Sequence, residues 1–186
     1  MTAILNQETM LEPHRFTVAE YHRIYESGAL PRQPRSQLIQ GEIYFMAAMG
    51  AAHADAITVL TELLVKAYVK EAKISPQVPI SIWNASEPEP DFALLKRTSP
   101  RGVATAKDVL LVIEVSDSSL KFDREKKTPE YARSGIPEVW ILNLEERQLE
   151  VYRHPDGWRY ASSFTVKDAS PTACLAFPND LIDWAV

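Results

Sequence analysis

Val109-Leu110-Leu111-Val112-Ile113-Glu114-Val115 is an almost unbroken run of branched apolar residues that contains one carboxylate. A run without polar alternation is the pattern of a strand covered on both faces, so it predicts the central strand of a sheet with layers above and below it. Glu114 is out of place there, because a carboxylate is costly to bury unless it is paired or bound to a cation. Asp91 raises the same question. It heads Asp91-Phe92-Ala93-Leu94-Leu95-Lys96, a shorter apolar strand that follows the Pro- and Glu-rich stretch Glu87 to Pro90. Lys127 stands just beyond both, and two acids and a lysine beside buried strands suggest a metal site.

Upstream, Val78, Ile80 and Ile82 alternate as in a strand. From Ala51 to about Lys73, Ile57, Leu60, Leu64 and Ala67 recur at helical spacing, with Glu62, Lys66 and Lys70 on another face. Leu38 to Met46 predicts two short strands joined by a tight turn at Gln40-Gly41, with Glu42 directly after it. Thr17 and Glu20 form a capping box that opens a helix running to about Ser27 and stopping at Gly28. Residues 1–15 lack periodicity and are expected to form a flexible arm.

Downstream, Arg97 to Lys107 reads as an exposed loop. A helix is expected from Asp123 to Ser134, closed by Gly135 and Pro137. Pro129 inside it requires either a kink or a fresh start capped by Thr128. Glu138–Asn143 and Gln148–Arg153 predict a hairpin, Trp158–Val166 a further strand, and Cys174–Val186 a short apolar-rich tail. The order implies an α/β (α+β) fold, a mixed central sheet flanked by helices, in one domain over residues 16–186.

With 186 residues and 46% hydrophobic content, the chain is long enough for one well-cored domain. Cys174 is its only cysteine, so no internal disulfide forms, which fits a reducing cytoplasm. Met1 to His14 does not read as a signal peptide, and the longest apolar candidate, Ile43 to Ala52, is too short to span a membrane. A net charge of −5 argues against a surface that attracts nucleic acid everywhere. Locally, Lys121, Arg124, Lys126, Lys127 and Arg133 outnumber Asp123, Glu125 and Glu130, which allows a basic patch near the acids. His14, His22 and His154 form no zinc pattern, and Cys174 has no evident base partner. Trp83, Trp140, Trp158 and Trp184 fall in apolar segments and read as core or interface residues.

Mg²⁺ or Mn²⁺ takes oxygen ligands and keeps several waters, so Asp91 and Glu114 would suffice, with the Val115 carbonyl as a third oxygen at the strand end. Lys127 could then orient a water or stabilise charge on a phosphate. The competing reading is structural: Asp91 starts a strand, Glu114 pairs with a lysine, and Lys127 is solvated. His53, one turn before Ile57, reads first as a packed or capping histidine, with a site role as the alternative.

Leu38-Ile39-Gln40-Gly41-Glu42, His53, Pro90-Asp91, Val112-Ile113-Glu114-Val115-Ser116, Asp123 with Lys127 four residues on, and Tyr131-Ala132-Arg133-Ser134-Gly135-Ile136-Pro137-Glu138-Val139-Trp140 together resemble the Uma-two family of "putative restriction endonucleases". These belong to the PD-(D/E)xK nuclease superfamily, and the resemblance runs in order from Phe16 to Trp184. It implies a restriction-endonuclease-like fold in which Asp91 and Glu114 bind metal, Val115 lends its carbonyl, and Glu42 lies near the metal through water. Ser116 occupies the place of the superfamily's lysine, and the resemblance implies that Lys127 supplies that ammonium from the helix, with His53 and Asp123 as accessory residues. The expected activity is Mg²⁺-dependent hydrolysis of phosphodiester bonds by water attack, on DNA before RNA, by a protein that pairs as a homodimer. The alternative is a catalytically inactive nuclease-fold module that binds nucleic acid or protein. A hydrolase of small phosphate esters is a third reading.

Overall fold

The computed structural model describes residues 12–167 and 170–184. Most of the expected arm, residues 1–11, lies outside them. Helix α1 (Val18–Glu26) begins with the expected capping box: Thr17 N–H donates to Glu20 Oε2 (2.8 Å), and Glu20 N–H donates to Thr17 Oγ1 (3.2 Å). Strands β1 (Ser36–Ile39) and β2 (Glu42–Phe45) form a separate two-stranded sheet. Their turn places Gln40 at φ +54° and Gly41 at φ +74°, the pair of positive φ values that a two-residue hairpin of matching twist requires. A Cβ at Gly41 would also lie 2.7 Å from Arg15 Cβ, so glycine is needed there on two counts.

Helix α2 (Ala51–Tyr68) is shorter than its periodicity implied. The expected helix to Lys73 is corrected: Ala72–Pro76 forms β3, pairing antiparallel with β5 (Phe92–Lys96). Lys70, Glu71, Ala72 and Lys73 favour helix locally, but pairing along the sheet edge outweighs that weak preference. The strand expected around Val78 to Ile82 shrinks to β4 (Ile80–Ser81). Its parallel partner, β6 (Ala104–Thr105), lies in the stretch expected to be an exposed loop, where Ser99 and Ala104 are in fact buried.

Strand β7 (Val109–Ser116) lies inside the main sheet, between antiparallel β5 and parallel β8 (Glu138–Asn143). Two hairpin partners, β9 (Gln148–Asp156) and β10 (Arg159–Val166), complete a six-stranded sheet of order β10-β9-β8-β7-β5-β3. Leu111, Ile113 and Val115 of β7 pack with Leu60, Leu64 and Tyr68 of α2 and with Cys174, Ile182 and Trp184 of the tail. Val112 faces the other way, into a second core with Tyr131, Ile136, Val139 and Ile141. This period-2 division is why the run reads as uniformly apolar, since both faces are covered.

Three helical pieces cross from β7 to β8: Leu120–Phe122, a π-helical turn at Asp123–Lys127, and Thr128–Arg133. They run on without a break and are called α3. Pro129, which has no N–H to donate, sits at the start of the last piece, and the wider turn before it lets Thr128 N–H reach Asp123 O, five residues back. Trp140 and Trp184 are buried as expected, whereas Trp158 is 49% exposed. Trp83 and Trp158 stack on the Arg133 guanidinium, 3.6 and 4.3 Å from their ring centres.

Candidate active site

Phe92 pairs with Ile113 across β5 and β7, and one further antiparallel step brings Asp91 opposite Glu114, on the same face of the sheet. Glu114 is 2% exposed. Its Oε2 accepts from Lys127 Nζ at 2.7 Å and its Oε1 from the Tyr131 hydroxyl at 2.6 Å. Asp91 Oδ2 accepts from Val115 N–H at 2.8 Å, and Oδ1 lies 2.9 Å from His53 Nε2, brought over the strand end by the first turn of α2. Asp123 completes the cluster: its Oδ2 accepts from Ser116 Oγ (2.8 Å) and Ser119 Oγ (2.6 Å), and its Oδ1 is 3.7 Å from Lys127 Nζ. Asp123, Lys127 and Tyr131 are spaced four apart in sequence, which turns all three toward the end of β7.

These charges do not balance. The Glu114 carboxyl is pushed up to about 8 in all: burial raises it most, Lys127 pulls it back, and Asp123 and Asp91 raise it again. Burial alone would lower Lys127, but Glu114, Asp123 and Asp91 together hold it above its ordinary value, so the lysine stays charged and Glu114 is the group that yields. Burial would also raise Asp91, yet the His53 hydrogen bond, Lys127 and the Val115 amide keep its carboxyl below the usual range. The bond to Asp91 raises His53 in turn.

The cluster opens into a cleft of about 970 Å³ lined by Asp91, Glu114, Lys127, His53 and Asp123, together with Glu89, Asp117, Arg35 and an apolar rim from Phe45 to Met49. Glu42 is not among the lining residues. Arg15 and the Tyr44 hydroxyl hold its carboxylate on the hairpin, and Tyr44 is itself part of the cleft wall. Of the five cations that allowed a basic patch, Arg124 pairs with Glu150, Arg133 stacks on the tryptophans, and Lys127 is buried.

Among the described residues, no group of three His, Cys, Asp or Glu side chains could hold a metal unaided. The donor set fits a hard cation nonetheless. Asp91 and Glu114 present four oxygens, each with one protein partner and lone-pair capacity to spare, and a cation of this class binds to one or two carboxylates with water as the remainder.

The Uma2 family model, described as "Putative restriction endonuclease", matches residues 18–185. The chain belongs to the Uma2 family. A solved structure from Anabaena variabilis, titled a "putative nuclease belonging to DUF820", superposes with a TM-score of 0.68 at 15% identity, over 92% of this chain and 99% of that one. The likeness makes the fold nuclease-like. No curated protein matches.

Within this Uma2 fold, Ser116 at the end of β7 donates to Asp123, and Lys127 of α3 donates to Glu114. Tyr131, Ser119, Glu89 and Arg35 were not singled out from the sequence. Tyr131 had a usable signal, one helical step beyond Lys127 on the same face. Arg35 had none, because it reaches the cleft only through tertiary folding. No described helix is long and apolar enough to cross a membrane.

Proposed function

We propose that this chain is a divalent-cation-dependent nuclease that hydrolyses phosphodiester bonds, with DNA the favoured substrate. One observation carries the reading: two carboxylates opposed across β5 and β7 share the wall of an open cleft with a buried, charged lysine. Membership of a family described as "Putative restriction endonuclease" supports it.

Asp91 and Glu114 would hold the cation, with Val115 contributing its carbonyl. A bound Mg²⁺ or Mn²⁺ supplies charge stabilisation at phosphoryl oxygens and makes its water more acidic. The chain's own residues set the rest. His53 fixes one oxygen of Asp91 and the Val115 amide fixes the other, so this ligand is oriented before anything binds. Tyr131 does the same for Glu114. Lys127, held protonated by three acids, would face the charge that develops on the phosphate. Asp123, anchored by two serines, keeps the ammonium in place.

A binding module without catalysis is the second reading, favoured by the acids Glu89, Asp117 and Asp123 around the cleft, which repel phosphate in the absence of a cation. The test combines calorimetric Mn²⁺ titration with cleavage assays on duplex, single-stranded and branched DNA and on RNA. Metal-dependent cleavage that disappears in Asp91→Asn and Lys127→Met supports the nuclease. Mn²⁺ uptake with no substrate cut supports the module, and no Mn²⁺ uptake overturns the metal site itself. Sedimentation with and without a duplex checks whether two copies act together.

A further inference from the structure

The lining of the cleft is of two kinds. One part carries the acids Asp91, Glu114 and Asp123; another comes from the β1–β2 hairpin and the segment that leads into α2. In the hairpin register Gln37 pairs with Tyr44, and two residues further along each chain the Met46 amide donates to the Arg35 carbonyl (2.8 Å). Alternation along a strand then puts Arg35, Gln37, Tyr44 and Met46 on one face, and all four line the cleft. The Tyr44 ring meets Phe122 of α3 edge-on, with ring centres 4.8 Å apart, and Phe122 lines the cleft too. Phe45 and Met49 belong to the same lining and are 50% and 47% exposed. Large apolar side chains left open to water beside a polar centre mark a binding groove.

Charge and size decide what this groove can take. A duplex is gripped chiefly through its phosphates, by clustered Lys and Arg. The cleft lining holds two such cations against five acids, and both are already paired: Lys127 with Glu114 at 2.7 Å and Arg35 with Glu89 at 2.5 Å. Beyond the lining, Arg124 is bound to Glu150 and Arg133 is stacked between two tryptophans. The cleft volume, about 970 Å³, is at the upper end for pockets that enclose a small molecule, about 300–1,000 Å³, so it admits a few nucleotides of one strand. Stacking is what such a wall offers. An aromatic ring under an unpaired base strengthens binding about 5–150-fold, and it needs no basic patch. A duplex keeps its bases stacked on one another and cannot use those rings.

We propose that the cleft takes an unpaired DNA strand, with one phosphate over Asp91 and Glu114 and the adjoining bases stacked on the Tyr44–Phe122 pair and the Phe45–Met49 rim. The inference rests on the proposed function, which puts a phosphodiester in the cleft, and it names the form of that substrate: single-stranded segments and frayed ends, not intact duplex.

Binding and cleavage are read separately on the full chain. Fluorescence anisotropy in Ca²⁺ compares a labelled single-stranded oligonucleotide with the same sequence as a duplex, and a gel assay in Mn²⁺ follows the cutting of both. The wild type is expected to hold the single strand about tenfold or more tightly than the duplex. Phe45→Ala combined with Met49→Ala is expected to lose about tenfold or more of that affinity, with melting temperature and Mn²⁺ affinity as in the wild type, whereas Phe45→Trp, which keeps a stacking ring, retains it. Duplex bound as tightly as the single strand, or single-strand affinity unchanged in the alanine variant, would overturn the proposal. An affinity that falls together with the melting temperature and Mn²⁺ uptake marks a structural role and overturns it as well. Mn²⁺-dependent cutting of duplex with no preference for the single strand leaves the proposed function standing and removes only this inference. Rim-dependent binding of the single strand with nothing cut removes the nuclease and leaves the ligand of the cleft as inferred.

Discussion

Glu114 and Glu138 are both buried carboxylates in neighbouring strands, and their surroundings differ. Glu138 is wholly buried and fully occupied: its Oε1 accepts from Trp140 Nε1 (2.7 Å) and Arg153 Nε (2.8 Å), and its Oε2 from Leu175 N–H (2.5 Å). Arg153 also donates to Ala173 O (2.6 Å), so the pair ties the tail to the sheet. Glu114 has a charged partner too, but it shares that lysine with Asp91 and Asp123 and lies beside a cleft. Burial does not separate a structural acid from a chemical one. What separates them is whether the neighbouring charges balance and whether the site opens to a ligand.

The comparison can be broken experimentally. Replacing Glu138 with alanine strips Arg153 of its buried partner and should cost about 3–5 kcal/mol of stability, read by denaturant unfolding. Mn²⁺ affinity of the folded fraction should not change; a loss would mean that the two acids are not separate in role. Lys127→Met should lower any cleavage rate about 10²–10³-fold, the scale for losing one preorganised charge at a transition state. His53→Ala leaves Asp91 Oδ1 without its hydrogen-bond partner, and about a 10–100-fold loss of Mn²⁺ affinity is expected in calorimetry.

The pH response sharpens the contrast further. Glu114 titrates at about 8 in the folded chain against an ordinary value of 4.5, so between those limits the folded state holds a proton that the unfolded state has lost. Stability of the metal-free protein should therefore fall as pH rises from about 5 to 8. His53, raised by Asp91, acts in the same direction, since its contribution is lost as pH climbs through its folded value. A melting temperature that rises across this window would contradict the account. The smallest effect is expected at Trp158, where alanine removes one of two rings from Arg133 at a half-exposed site and should cost about 0.5–1 kcal/mol.

Much of this was legible in the chain. The β7 run, the capping box of α1, the Gln40-Gly41 turn and the β8–β9 hairpin are each written in local pattern, because sterics and burial act within a few residues. The end of α2 was not, because Lys70, Glu71, Ala72 and Lys73 favour helix, yet the sheet edge recruits Ala72 and Lys73 into β3. The site divides in the same way. Asp91 and Glu114 stand out as acids in apolar surroundings, and Lys127 stands out by its place just beyond them, to which the family resemblance adds a role. Glu42 carried the same family signal, and its carboxylate pairs with Arg15, a contact between distant segments that no spacing encodes. Arg35 was invisible for the same reason.

The π-helical turn at Asp123–Lys127 sets the angular phase of the segment after it. A residue in an ordinary helix advances about 100° around the axis, so the wider turn acts as a fixed rotational offset between the serine-anchored start of α3 and the Tyr131 face that packs on the sheet. Deleting one residue from it would let the segment close into regular helix while Tyr131 and Ile136 stay seated in the core. Lys127 and Asp123 could not then both keep their places. The cluster of Asp91, Glu114, Asp123 and Lys127 is thus exposed to a lesion that the fold would tolerate: the loss of a single codon would pull it apart and leave the core packed.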